Sequence, residues 1–477
     1  MAKRIIVIGA GPGGYVAALK AAALGAEVTV VEKEGAGGTC LNWGCIPSKI
    51  MKTSADLMEK MAESETFGLE QVGDVTVNMA RLMERKRSII ATQQKGILAL
   101  FQRAGVTWVR GSARITGKGS LAVTEENGET SDLYWDNLII ATGTVPMALS
   151  AFPFDGKRVV SSNEILSLSE VPESIAIVGG GVIGCEFAFI LNALGAKVTL
   201  IEGMDRVLPI DSVDDACSKL LTREMKKKKI TLYTNRTVTG VDTTGEGARV
   251  TIGPSPFADN PTAKEKEILT EEVAMVAFCV GRSPNSSDIG LEHTGVTVDD
   301  RGWIRVDDGM RTSDPSIYAI GDITGPERIM LAHVASAEGM VAAENIMGED
   351  RTMDYTAVPN AIFTMPEVAC TGLTEAQAKT QGLSVRTDTV LFRAIGKAQV
   401  LGEIAGQASI VSETGTGRVL GVHIAGPHAT DLIAEGTLAV NKRLTVTDLA
   451  ETIHAHPTLA EAMLETALKA SGNALHG

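Results

Sequence analysis

Cysteine is scarce in this chain, with six in 477 residues, too few and too scattered for a disulfide-stapled scaffold. Positive charge is short as well. With 44 Lys and Arg against 58 Asp and Glu, the net charge is -14, and so acidic a surface offers no basic face to displace counterions from a phosphate backbone. The one basic run, Lys226-Lys227-Lys228-Lys229, follows Leu220, Leu221 and Met225 at helical spacing and reads as a solvated helix end, not a nucleic-acid patch. Long apolar runs are missing too. None reaches the roughly 18 to 20 residues of a membrane span without charge or glycine breaks. The chain passes from Ile5-Ile6-Val7-Ile8 straight into glycine, leaving no separate apolar region of a signal peptide. The expectation is a cytoplasmic protein of about three domains, with neither nucleic acid nor membrane as partner.

Two of the cysteines stand apart. The stretch Gly37-Gly38-Thr39-Cys40-Leu41-Asn42-Trp43-Gly44-Cys45-Ile46-Pro47-Ser48-Lys49 sets Cys40 and Cys45 five positions apart, with Lys49 four beyond the second. In a reducing compartment such a pair is catalytic or metal-binding. The segment has no histidine to add ligands, so no metal is expected. Two thiols can hold two electrons as a disulfide, but they cannot by themselves exchange hydride with a nicotinamide. The rest of the chain should therefore supply a carrier.

A dinucleotide fingerprint precedes the pair. Arg4 to Ile8 reads as a strand, Gly9-Ala10-Gly11-Pro12-Gly13-Gly14 as the turn, Tyr15 to Leu24 as a helix, and Val28 to Val31 as a second strand ending at Glu32. Gly9 permits the tight turn, Gly11 lets backbone approach a pyrophosphate, Gly14 allows close helix packing, and Glu32 sits where a carboxylate can accept from a ribose diol. The pattern then recurs. Ser174 to Val178 leads through Gly179-Gly180-Gly181-Val182-Ile183-Gly184 into a helix over Cys185 to Leu194, and Val198 to Ile201 closes on Glu202. Two such units imply two dinucleotides. An acid at the second strand's end favours NAD over NADP, because a 2′-phosphate would be repelled there and would prefer arginine; Arg206 is the one nearby.

Between the units, residues 78 to 103 carry apolar residues at mostly helical spacing and predict a long scaffold helix. Strands are expected at Thr107 to Arg110, Leu121 to Thr124 and Leu138 to Ile140, the last ending in Ala141-Thr142-Gly143. Residues 253 to 267 are proline-rich and charged, and predict an exposed loop without chemistry. One strand is expected over Val273 to Val280, before Gly281-Arg282-Ser283-Pro284-Asn285, and another leads into Gly321-Asp322. From about residue 351 the character changes: strands at Ser409 to Val411 and Val419 to Ile424 lie among helices, and the polar chemistry gathers in His454-Ala455-His456-Pro457-Thr458-Leu459-Ala460-Glu461. Cys185, Cys217, Cys279 and Cys370 read as core or incidental thiols.

A disulfide pair, two fingerprints and a terminal histidine-carboxylate motif together resemble the flavin-dependent pyridine nucleotide-disulfide oxidoreductases of class I, most closely their dihydrolipoamide dehydrogenase branch, over essentially the whole chain. The resemblance implies an α/β fold of two Rossmann-like domains, for FAD and NAD, with a C-terminal α+β dimerisation domain. The division it implies is 1–148 for FAD, 149–281 for NAD, 282–350 completing the FAD region and 351–477 at the dimer interface. It places Gly9, Gly11, Gly14, Glu32, Ala113, Thr142, Gly143, Asp322 and Ala332 around FAD. Gly179, Gly181, Gly184, Glu186, Glu202, Val238 and Gly281 would line the NAD site.

The same resemblance makes Cys45 the sulfur next to flavin and Cys40 the one exchanging with substrate. It puts Lys49 and Glu186 near flavin N5, and His456, oriented by Glu461, in the other subunit's active site as the base. A neutral imidazole suits that task near pH 7, since thiol-disulfide exchange needs a thiolate attacker. His454 would be supporting or structural. The implied reaction oxidises dihydrolipoamide on a lipoyl domain of a 2-oxo acid dehydrogenase complex, or on the glycine cleavage carrier, and reduces NAD. Sister enzymes that use NADP would carry arginines in place of Glu202, mercuric reduction would want cysteines nearer the C-terminus than Cys370, and a soluble transhydrogenase would lack the Cys40-Cys45 pair. A redox-sensing flavoprotein would bind flavin without turnover.

Overall fold

The computed structural model describes residues 2–70 and 73–475. Both glycine fingerprints fold alike, for the same reason. In the first, strand Arg4–Ile8 pairs parallel with Glu27–Glu32 on one side and Asn137–Ile140 on the other. Thr107–Arg110 and Ile317–Ala319 complete a five-stranded parallel sheet. In the second, Ser174–Val178 lies between Lys197–Ile201 and Met275–Phe278, with Thr231–Tyr233 and Val159–Val160 at the edges. Both central strands are almost wholly apolar and buried, as parallel strands covered on both faces must be.

Gly9 and Gly179 each sit at φ 103°, in the region that favours glycine. A Cβ on Gly14 would lie 1.9 Å from the Gly9 carbonyl oxygen, and one on Gly184 would lie 1.8 Å from that of Gly179. The turn can close onto its helix only with glycine at these positions. The first helix, Pro12–Ala23, begins earlier than the sequence pattern predicts, because proline at the opening position gives up an N–H that has no helical partner. Its small face, with Gly13 and Ala17, packs against Gly339 and Ala335 of the helix Ala332–Ile346 so closely that a Cβ on Gly339 would lie 2.6 Å from the Gly13 oxygen. A late stretch of chain thus supplies both a strand and a helix to the first unit.

The expected long helix is Met79–Ala104. The basic run closes the helix Asp215–Lys227, with Lys227 paired to Glu224 at 2.7 Å and Lys228 to Glu59. Cys185, Cys217 and Cys370 are buried and Cys279 is half-buried. The apolar run at 273 to 280 is not one strand. Leu269–Val273 belongs to an antiparallel meander with Arg236–Asp242 and Ala248–Pro254, whereas Met275–Phe278 enters the parallel sheet. The chain crosses between them at Ala274, whose N–H donates to Ser174 Oγ. Residues 253–267 are also more ordered than expected: Thr262 and Glu265 form a capping box on the short helix Ala263–Lys266.

The last part is an antiparallel sheet in the order Asn360–Ile362, Glu367–Gly372, Val419–Gly426, Gln407–Glu413, Val385–Leu391. Helices Ala429–Asn441 and Glu461–Ala470 pack on it through Ile433, Ala439, Met463 and Ala467. No described helix is long and apolar enough to cross a membrane.

Candidate active site

A cavity of about 580 Å³ opens beside the first fingerprint at the carboxyl ends of the parallel strands. Gly9, Gly11, Glu32, Ala113, Thr142, Gly143, Asp322 and Ala332 all line it, together with Cys40 and Cys45. Every residue expected at FAD is therefore on its wall except Gly14, which serves the turn, and Lys49, treated below. The lining fits a flavin dinucleotide. Glu32 is held by the N–H groups of Ala10 and Glu34, each at 2.8 Å, which fixes its carboxylate at the cavity wall. A Cβ on Gly11 would find only Gly38 Cα, at 3.9 Å, so the backbone lies open to a pyrophosphate. Thr142 lines the cavity, and its Oγ1 is buried with no hydrogen-bond partner among the described residues. Burial pushes the Asp322 carboxyl up, against the pull of Arg282 and a 3.1 Å bond from Thr144 Oγ1.

Arg282, Thr144 and Asn285 were not among the expected site residues. The Arg282 guanidinium is clamped to Thr144 by Nε to Oγ1 at 2.6 Å and Nη2 to the carbonyl at 2.7 Å. Asn285 donates to the Thr142 carbonyl at 2.9 Å. All three line the cavity. An arginine directly after Gly281, four residues past the apolar strand Met275–Phe278, was the available signal.

Cys45 is the first residue of the helix Cys45–Ala62, where unpaired N–H groups favour a thiolate. Cys40 lies in the short helix Gly38–Asn42 just before it. The two thiols are close enough to push each other's acidity apart, Cys40 upward and Cys45 downward. The Cys40 thiol is pushed well up by donating to Cys45 and by burial. The Cys45 thiol, although exposed to solvent, is brought down by its interaction with Cys40, assisted by Lys49 and opposed by the surrounding protein and Glu186. Lys49 lies one turn along the same helix and meets Glu186 Oε1 and Oε2 at 3.0 and 2.9 Å. Glu186 also accepts the Phe363 N–H at 2.9 Å, and Lys49 Nζ stands 4.2 Å from the Phe363 ring centre. This pair stands behind Cys45, outside the cavity lining.

At the second fingerprint Glu202 repeats the arrangement of Glu32, accepting the N–H of Gly180 and, at 2.7 Å, that of Met204. Gly181 has open space where a Cβ would be. Gly281 sits at φ 134°. Arg206 donates to the carbonyls of Val213 and Ile210 at 3.1 and 3.2 Å, which engages its guanidinium within its own loop. Val238 differs from the others: its side chain packs into the core with Ile201 and Ile252.

His456 and Glu461 form a pair at 2.8 Å between Nδ1 and Oε1. The second Glu461 oxygen accepts the Thr458 N–H at 2.9 Å. Burial works against the ionised carboxylate, but these two bonds outweigh it and hold Glu461 below the usual range. With Nδ1 donating to the carboxylate, Nε2 is left as the proton acceptor. The His456 side chain is 77% exposed, and it does not line the cysteine cavity of its own chain. His454 is its opposite, with a side chain 5% exposed that bonds the Thr452 carbonyl at 2.8 Å and Glu435 at 2.9 Å. It anchors the turn that carries His456. Among the described residues no cluster of three or more His, Cys, Asp or Glu could hold a metal.

Residues 3–339 match the family described as pyridine nucleotide-disulphide oxidoreductase, and residues 358–467 match its dimerisation domain. A protein of Chlamydia trachomatis serovar D named dihydrolipoyl dehydrogenase is 40% identical over 473 residues, covering 99% of this chain and 97% of the relative. One of the same name from Bacillus subtilis strain 168 is 40% identical over 481 residues, covering 99% and 98%. The solved structure of LpdA from Mycobacterium tuberculosis superposes with a TM-score of 0.89 at 28% identity, over 98% of this chain and 99% of that one. The matches run over nearly the whole chain: it belongs to the pyridine nucleotide-disulphide oxidoreductase family.

Proposed function

We propose that this FAD- and NAD-dependent oxidoreductase oxidises dihydrolipoamide carried on a protein and reduces NAD, using Cys40 and Cys45 as its disulfide. The observation that carries this reading is that Cys40 and Cys45 both line a cavity whose walls suit a flavin dinucleotide. FAD, held by the lining residues from Gly9 to Ala332, supplies a two-electron relay between dithiol and nicotinamide. His456 takes the proton of a substrate thiol at Nε2, while Glu461 fixes its tautomer and stabilises the imidazolium. The thiolate so formed attacks Cys40 Sγ, and the Cys40–Cys45 bond breaks with its electron pair going to Cys45. Attack by the second substrate sulfur on the mixed disulfide releases lipoamide and leaves two reduced cysteines. The leaving Cys45 thiolate is stabilised by its helix terminus and by Lys49.

His456 lies exposed within the family's dimerisation region, which supports a homodimer whose active site takes cysteines from one chain and the base from its partner. On this reading the units are 1–148 with 282–350 for FAD, 149–281 for NAD and 351–477 for dimerisation. The lipoyl bearer is a 2-oxo acid dehydrogenase core or a glycine cleavage carrier, in the cytoplasm. The acid at Glu202, with Arg206 engaged by the carbonyls of Val213 and Ile210, favours NAD over NADP. Steady-state turnover of the flavin-loaded dimer with dihydrolipoamide tests the proposal: NADH should form rapidly and NADPH slowly. Absence of NADH formation, or a preference for NADP, would overturn it.

A further inference from the structure

The ordered excursion at 253–267 carries an aromatic ring to the second fingerprint. Phe257 is 70% exposed, yet its position is fixed. A Cβ on Gly203 would lie 3.2 Å from Phe257 Cδ2, 3.6 Å from Cε2 and 3.3 Å from Ser255 Oγ, so the ring lies over the backbone immediately after Glu202. Three hydrogen bonds tie it there in sequence. Asn235 N–H donates to the Met204 carbonyl at 2.8 Å, Ser255 N–H to the Asn235 carbonyl at 2.9 Å, and Phe257 N–H to Ser255 Oγ at 3.1 Å. The far end of the excursion is pinned as well. Buried Arg236 donates to the carbonyls of Glu267 and Lys264, and Asn235 Nδ2 donates to Glu265 at 2.8 Å.

A dinucleotide in a unit of this kind lies across the carboxyl ends of the strands, with its adenosine ribose at the acid that closes the second strand. The base hangs from that same ribose, so it must lie alongside the residues that follow Glu202. We propose that Phe257 is the wall on which the adenine of NAD rests. This rests on the reading that the second unit holds NAD. The purine brings a flat π face and Phe257 presents another, held open to solvent; stacking needs no hydrogen bond and excludes water from one side of the base. Gly203 is then glycine because any side chain there would push the ring off its position.

Calorimetric titration of the FAD-loaded dimer with NAD, ADP-ribose and nicotinamide mononucleotide tests the assignment. In Phe257→Ala the Kd for NAD and for ADP-ribose should rise about five- to tenfold, at the low end for loss of a base–aromatic stack. The Kd for nicotinamide mononucleotide and the KM for dihydrolipoamide should stay as they are. Phe257→Tyr should restore ADP-ribose binding, and Gly203→Ala should weaken it. The proposal is overturned if Phe257→Ala binds ADP-ribose like the wild type, or if all three ligands weaken alike, which would report local collapse. A wild-type dimer that binds neither ADP-ribose nor NAD overturns the assignment of NAD to this unit and the wall with it.

Discussion

Glu186 and Lys49 share an ion pair and a neighbour, Cys45, so neutralising them one at a time should move that cysteine in opposite directions. In Glu186→Gln the amide keeps the side chain's volume and can still accept the Phe363 N–H through Oε1; what is removed is the charge. Unit charges 2.9 Å apart attract by about 6 kcal/mol at an effective dielectric of about 20. Most of that is offset, because the Lys49 side chain is 29% exposed and water can rehydrate it. The net loss should be about 1–2 kcal/mol, read as a small fall in thermal midpoint. The thiol responds separately. Its pKa already lies below the ordinary value; the Glu186 carboxylate pushes it up and the Lys49 ammonium pulls it down. Removing the carboxylate should lower it further, and Lys49→Met should raise it. The thiolate is the form that makes the charge-transfer contact, so the long-wavelength absorbance of the two-electron-reduced enzyme should persist to lower pH in Glu186→Gln. In Lys49→Met it should need a higher pH to appear. Anaerobic pH titration of the three proteins measures this. Shifts of the same sign in both variants, or no shift in either, would refute the reasoning.

Cys40→Ser should show the long-wavelength band without any reductant, since Cys45 then has no disulfide partner, and Cys45→Ser should never show it. His456→Ala should slow turnover by about a hundredfold to ten-thousandfold while FAD stays bound. A mixed dimer of His456→Ala and Cys45→Ser chains should regain activity that neither homodimer has, which rapid mixing and assay would detect. Gly184→Ala, whose Cβ would lie 1.8 Å from the Gly179 oxygen, should lose NAD binding by calorimetry and keep the flavin spectrum. Gly14→Ala should instead lose FAD, seen as colourless purified protein.

The two nucleotide units were legible in the sequence because their function and their backbone need the same residue. Gly9, Gly14, Gly179 and Gly184 cannot be replaced without collision, and apolar strands flank them. The terminal sheet was harder. Val385–Leu391 is an edge strand whose middle is a polar run, Arg386 to Thr389, and Glu367–Gly372 is a short strand opened by glutamate, so both escaped notice. Residues 253–267 read as loose because proline and charge dominate locally, while their order comes from Asn235 and Arg236 outside the segment. Arg282 and Thr144 are 138 positions apart, and no local pattern joins them. The distance between His456 and the cysteines had a different cause. The cysteine cavity of one chain does not include His456, so its meeting with the cysteines belongs to the proposed dimer.

The most direct test of the account is anaerobic reduction of the purified dimer by dihydrolipoamide followed by addition of NAD. The account predicts that the long-wavelength charge-transfer absorbance develops with one equivalent of dithiol and then vanishes as NADH forms. A flavin spectrum unchanged by the dithiol, or a reduced enzyme that NAD leaves unoxidised, would contradict it.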